Sequence, residues 1–222
     1  MEKTVSKKKS KAVSKSKLKE HYIKVVLMSG RLPASIYAFA QESKISEDEF
    51  YSYFNSFGAL EREIWADWMA EAVQTVQNDE AFVDYSVREK LLALFFTWIE
   101  VLKENRSYVL MRFEKLDERE LNPEFLIQLK HVYKDFIHEM IMEGKDTTEI
   151  AERPFSNLYD KGFWLHLVFL TRFWVKDDTK DYEQTDAAVE KSVNFIMDLI
   201  AKGPLDSFVD FAKFLYQNRK PY

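Results

Sequence analysis

No cysteine occurs anywhere in the 222 residues. That excludes disulfide frameworks, thiol nucleophiles and thiolate-held metals, and it accords with a reducing compartment. Five glycines and five prolines are few for this length, and long stretches free of both favour helices over a turn-rich β architecture. No apolar run reaches the roughly 18 residues needed to cross a bilayer. The opening segment MEKTVSKKKSKAVSKSK carries lysines but no apolar core, unlike a secretory leader. Also missing are a Gly-rich phosphate loop, a His-Glu-x-x-His zinc helix and a Gly-x-Ser-x-Gly elbow. The histidines are scattered. His131 and His138, near Asp135 and Glu139, read as exposed polar positions on a helix as readily as a ligand set. Carboxylates are spread too evenly to single out an acid/base pair. Neither an enzyme nor a metal or cofactor has positive support, and the expectation is a soluble cytoplasmic protein.

What is present is apolar and aromatic surface, 46% and 15% of the chain, enough for a sizeable helical core. The stretch Leu32 to Leu60 organises the rest and reads as two short helices around a tight turn. Pro33 and Ser35 open the first, because proline's fixed φ suits a first turn and a serine hydroxyl accepts an otherwise unpaired backbone N–H. Ile36, Phe39 and Ala40 form its inner face. Ser46 and Glu49 have the spacing of a capping box at the start of the second helix, whose inner face would be Phe50, Tyr53 and Phe54. Only Ser43, Lys44 and Ile45 separate the two, a length suited to a helix-turn-helix.

In order and spacing, Phe39-Ala40, Ile45-Ser46, Tyr51-Ser52-Tyr53-Phe54 and Leu60 resemble the DNA-binding domain of TetR-family repressors. Where that family usually carries glycine in the turn this chain has Lys44, and Phe57 stands where a lysine is usual. Glu47, Asp48 and Glu49 occupy the first turn of the recognition helix, the end that would first meet phosphates. The resemblance implies an all-α fold made of a three-helix head and a helical body that binds ligand and forms the dimer. It also implies DNA contacts from Tyr51 and Tyr53 to the backbone, with Ser35, Lys44, Ser46, Ser52 and Asn55 beside them.

Charge divides the chain unevenly. Residues 1–20 hold eight lysines against Glu2 and Glu20, a balance of +6 opposed to −11 in the remainder. Such a Lys/Ser-rich arm lacks the apolar surface to fold alone. It is expected to be disordered over 1–16 and to act either as a phosphate-seeking arm, continued by Lys17 and Lys19, or as a solubilising tail. A first helix is expected from about Lys17 to Ser29, stopped by Gly30. The head then covers 17–57 and the body 58–222.

Within the body, Ser86 and Glu89 mark a second capping box ahead of LLALFFTWIEVL. Glu143-Gly144-Lys145-Asp146 reads as a helix stop, and Pro154 as a brake on the next helix. Phe95, Trp98, Tyr108, Met111, Phe113, Tyr133 and Phe136 recur on successive helices and are candidates to line a pocket for a small apolar ligand. Aromatic stripes at helical spacing are more often plain core. The segment FWLHLVFLTRFWV is apolar at ten of thirteen positions, more than one buried face requires, so a second burial surface is implied. It and the helix from about Ala187 to Ala201 resemble the last two TetR helices, which form a four-helix bundle across a two-fold axis. The interface residues then expected are Trp164, Leu167, Leu170, Trp174, Val189, Val193, Ile196 and Ile200. His166, inside the apolar segment, reads as a hydrogen-bonded interface histidine rather than a catalytic one. A last amphipathic helix is expected after Gly203-Pro204.

Two functions follow. One is a homodimeric TetR-like regulator that binds double-stranded operator DNA and responds to a small apolar ligand. The other is a protein that keeps the architecture and holds a lipid-like or other apolar ligand, but has lost DNA recognition.

Overall fold

The computed structural model describes residues 13–152, 159–201, 203 and 214. Among them the chain is all-α, with no strand. It divides into two compact units, 1–64 and 65–222. The division lies inside one helix rather than at the expected 57/58 boundary.

Three helices and the start of a fourth build the head. Helix α1 spans Lys15–Ser29, with Ser14 as its cap accepting from the Lys17 N–H and Gly30 ending it at φ 63. Helical order thus begins ahead of residue 17, because the Ser14 hydroxyl satisfies a first-turn donor. Residues 1–12, most of the expected arm, lie outside the described part of the chain. Helix α2 spans Ile36–Ser43, capped by Ser35. Lys44 ends it in the left-handed conformation, φ 56, and so performs with a lysine the turn for which glycine carries no steric cost. Helix α3 is short, Glu47–Tyr51, and opens on the expected capping box of Ser46 and Glu49. It stops early where the Ser52 hydroxyl donates 2.7 Å to the Glu49 carbonyl, a local bond of the kind that competes with helix propagation. Helix α4 spans Phe57–Gln77.

The core of the head is aromatic. Tyr22, Phe39 and Phe50 are fully buried, and the Phe57 ring lies 5.4, 5.6 and 5.4 Å from them. Phe57, half-buried, therefore packs against the core of the head, which accords with a division of the chain past residue 57. Tyr53 departs from the expected inner face. It is 39% exposed, while Phe50 and Phe54 are buried.

The second unit holds the rest of α4 and five further helices among the described residues: α5 (Val87–Glu104), α6 (Arg106–Glu114), α7 (Ile127–Asp146), α8 (Tyr159–Lys176) and α9 (Glu183–Ile200). Ser86 and Glu89 form the expected capping box of α5. Gly144 does not stop α7, which runs on to Asp146. A Cβ at that position would lie 2.7 Å from Ile150 and 3.0 Å from Val87, so this glycine admits a close approach between chain segments. Polar ties join the helices. Lys90 pairs with Glu143 at 2.5 Å between α5 and α7, and Arg88 reaches Asn194 and Asp198 of α9. The Trp98 indole N–H donates 3.0 Å to the Thr171 hydroxyl of α8. No helix among the described residues is long and apolar enough to cross a membrane. Pro154 and the amphipathic helix expected after Gly203-Pro204 lie outside the described residues, apart from exposed Phe214.

Candidate functional site

In the head, the buried rings of Phe50 and Phe54 fix α3 from below and leave the following residues at the surface. Tyr51 and Tyr53 are 49% and 39% exposed, and Ser52, Asn55 and Lys44 are exposed with them. The other anticipated DNA-contacting residues have structural work. The Ser35 hydroxyl accepts from the Ala38 N–H at 3.1 Å. The Ser46 hydroxyl accepts from the Glu49 N–H and donates to its carboxylate. Lys19 is half-buried and paired with Glu63 at 2.6 Å, a carboxylate that Lys15 shares at the same distance. Burial alone would raise the Glu63 carboxyl, and the two ammonium groups bring it below the usual range instead. The positive charge of Lys19 is thus already matched, and only Lys17 of that pair stays exposed and open to phosphate. Glu47 and Asp48, by contrast, have no ion-pair partner among the described residues.

In the body, the seven candidate ligand residues do not converge. Tyr108 and Phe113 belong to one aromatic cluster, in which the Trp65 ring is 5.1 Å from Phe125 and 5.9 Å from Phe113. Phe95 stacks edge-on against His166 at 4.6 Å, with Tyr133 at 6.4 Å on another side. Trp98 is tied to Thr171, and Phe136 lies near Phe82. Met111 is half-buried. The other six are buried, and most of them pack as core.

A cavity of about 440 Å³ opens elsewhere, between the segment Leu121-Asn122, one face of α7 and the first turns of α8. Its lining is Leu121, Asn122, Lys130, Tyr133, Lys134, Ile137, Asp160, Lys161, Trp164 and Leu165. Of the anticipated ligand residues only Tyr133 lines it. Tyr133 is neutral and occupied: burial pushes its phenol well above the usual value, and its hydroxyl donates 3.2 Å to the Phe163 carbonyl. The Trp164 indole N–H likewise donates 3.0 Å to the Leu121 carbonyl. The lysines at 130 and 134 could have been found in the sequence, since they lie one turn apart on a helix whose other face is apolar. Phe113 lines a second cavity, of about 550 Å³, with Glu118, Arg172 and Lys176.

Helices α8 and α9 carry two opposite faces. Of the expected interface residues, Trp164, Leu167, Leu170, Trp174, Val189, Val193 and Ile200 are at most 5% exposed, and Ile196 is half-buried. Seven of the eight are packed within their own chain. The outward side is a different set: Leu165, Phe169, Phe195 and Leu199, between 45% and 68% exposed. An open groove runs along it, its mostly apolar lining, with Leu165, Phe169, Phe195 and Ile196, interrupted by His166, Lys191 and Ser192. His166, expected as a hydrogen-bonded interface residue, is buried and bonded within its own chain, its Nε2 lying 2.7 Å from the Ser192 hydroxyl of α9. Burial lowers its pKa to about 4, so the ring is neutral at pH 7. Among the described residues no group of three or more His, Asp or Glu is placed to hold a metal ion.

Among the described residues the chain is all-helical, with a helix-turn-helix head and a separate helical body. Residues 90–215, more than half the chain, match the family described as tetracyclin repressor-like, C-terminal domain, and the chain belongs to the TetR family. The fatty acid degradation regulator FadR from Bacillus halodurans has a similar structure, with TM-score 0.61 and 20% identity over 83% of this chain and 98% of that one. So does the TetR transcriptional regulator from Nitrosomonas europaea, with TM-score 0.57 and 14% identity over 82% and 96%. At these identities the likeness is one of fold. No curated protein matches the chain.

Proposed function

We propose that this TetR-family chain is a transcriptional regulator that acts as a homodimer, binds duplex DNA through its head and responds to a small, largely apolar ligand in its body. The observation that carries the reading is the edge of the helix-turn-helix: Tyr51, Ser52, Tyr53 and Asn55 are held at the surface by buried Phe50 and Phe54. They offer hydroxyl and amide groups, and Lys44 a charge, to backbone and base edges. Dimerisation is supported by the outward apolar side of α8 and α9, where four large side chains meet solvent in one strip. A two-fold axis through that strip would bury it against its own copy.

A second reading has its own observation. Glu47 and Asp48 place unpaired negative charge in the first turn of α3, where duplex phosphates would repel them. A protein with this head but no affinity for DNA would keep the body's ligand site alone. Selection of bound fragments from sheared genomic DNA separates the two. Enrichment of one palindromic sequence supports the regulator, and no enrichment even at low salt leaves the ligand-binding protein.

A further inference from the structure

We infer that the cavity between α7 and α8 takes an amphiphile with an aliphatic body and an anionic head, and that Lys130 is the group that holds the head. The inference rests on the reading of the body as a ligand site, and adds to it the charge of the ligand and the residues that select it.

The floor of the cavity has no hydrogen-bonding capacity to spare. The hydroxyl of Tyr133 and the indole N–H of Trp164 are both committed to main-chain carbonyls, and Ile137 and Leu165 are aliphatic. A polar ligand body would lose its water there without replacement, whereas a hydrocarbon loses nothing. The volume, about 440 Å³, is within the range of small-molecule sites.

The rim is cationic. Lys130, Lys134 and Lys161 face a single carboxylate, Asp160, which Lys134 holds at 3.2 Å. Lys130 is half-buried and its ammonium lies 4.7 Å from the centre of the Trp164 ring. One of its N–H groups is given to the Asn122 side-chain oxygen at 2.6 Å. An ammonium has three donors, so two remain. Burial, with the charge of Lys134 added, lowers the Lys130 pKa, as expected of a cation that lacks a counter-ion. A carboxylate or phosphate at the mouth of the cavity would accept the spare donors and relieve the repulsion between the two lysines.

The test is calorimetric titration of the full chain with four probes of one chain length, each below its micelle concentration or, for the alcohol, its solubility limit: dodecanoate, dodecyl phosphate, dodecanol and dodecyltrimethylammonium. Dodecanoate or dodecyl phosphate is expected to bind about tenfold or more tighter than dodecanol, and the stronger of the two identifies the head group. Lys130→Gln should weaken the anionic probe about tenfold and leave dodecanol unchanged. Asp160→Asn should tighten the anionic probe and weaken the cationic one. Lys161→Gln, at an exposed position, should weaken the anionic probe about threefold and serves if Lys130→Gln does not fold. Equal binding of dodecanol and both anions, or anion affinity indifferent to the loss of these lysines, would overturn the charge assignment while leaving an apolar ligand site. Failure of all four probes to bind would overturn the ligand site itself.

Discussion

The head and the body of this protein are built from the same kinds of residue but are specified over different distances. Every element of the head carries its own punctuation. Ser14, Ser35, Ser46 and Ser56 each accept a backbone N–H three residues on, Gly30 and Lys44 make the left-handed stops, and the rings that seal the core lie within 36 residues of one another in the chain. The body is joined instead by long-range ties: Arg88 to Asp198, Trp98 to Thr171, Lys90 to Glu143. Local rules therefore fix the helix ends of the head. In the body, which face of a helix is inside depends on neighbours far along the sequence.

The sharpest way to break that contrast uses nearby positions on one helix. On α9, Val193 is fully buried and Phe195 is 68% exposed. Val193→Glu should unfold the body, because a carboxylate in a dry core costs more than about 5 kcal/mol. If the chain is the proposed homodimer, Phe195→Glu should leave circular dichroism unchanged and abolish the dimer in sedimentation velocity. A Phe195→Glu protein that remains a dimer would place the interface elsewhere.

A second comparison sets the acids of α3 against the lysines ahead of α1. Residues 1–12 contain five lysines and one glutamate. If the regulator reading holds, deleting them should flatten log K against log salt by about 0.9 for each phosphate that is no longer neutralised. Glu47→Lys should act oppositely, tightening binding to all duplexes by several-fold while reducing preference for the operator, since an ion pair with a phosphate carries no sequence information. Unchanged affinity and slope in the truncated protein would make the segment a tail without a role in binding.

The body should lose stability toward acid in two steps. His166 is held below its ordinary pKa in the folded body, at about 4 against 6.5, so the unfolded chain takes up a proton before the folded one. Its share of stability is complete above about pH 6.5 and is lost as pH falls toward 4. Asp177 acts lower. Burial raises its carboxyl, but bonds from the hydroxyl and N–H groups of Thr179 and Thr185 outweigh it and bring the pKa to about 2. Its contribution is complete above about pH 4 and disappears between there and pH 2. Urea melts of His166→Gln should show a flatter dependence between pH 6.5 and 4 than the unaltered chain, with Ser192 still hydrogen-bonded by the amide. An identical slope would show that the histidine does not titrate with unfolding.

The smallest effect belongs to the turn of the head. Lys44→Gly should stabilise it by up to about 1 kcal/mol, because glycine adopts φ 56 without the Cβ clash. Gly30→Ala should cost a similar amount at φ 63, although nothing lies within 4 Å of the added methyl. Chemical denaturation of both variants measures the pair, and a Lys44→Gly change that destabilises would mean that the lysine side chain contributes more than the turn costs.

The sequence by itself determined the helical class, the capping boxes at Ser46 and Ser86, a three-residue turn one position from its observed place at 44–46, and the family resemblance of the head. These rest on hydrogen bonds and spacings within a few residues, which the order of the chain carries in full. It also showed that α8 has more apolar surface than one face can bury. Only the tertiary structure decided which side chains supply that surface: Leu167, Trp174 and Val193 turn inward, and Phe169 and Phe195 turn out. The same holds for Lys19, neutralised by a glutamate 44 positions later, for Gly144, required by Ile150 and Val87 rather than by a helix end, and for the cavity. Its aromatic candidates were consumed by the core, and its lysines came to one rim only when α7 and α8 were brought side by side. Periodicity tells how much apolar surface a helix must bury, and only packing tells against what.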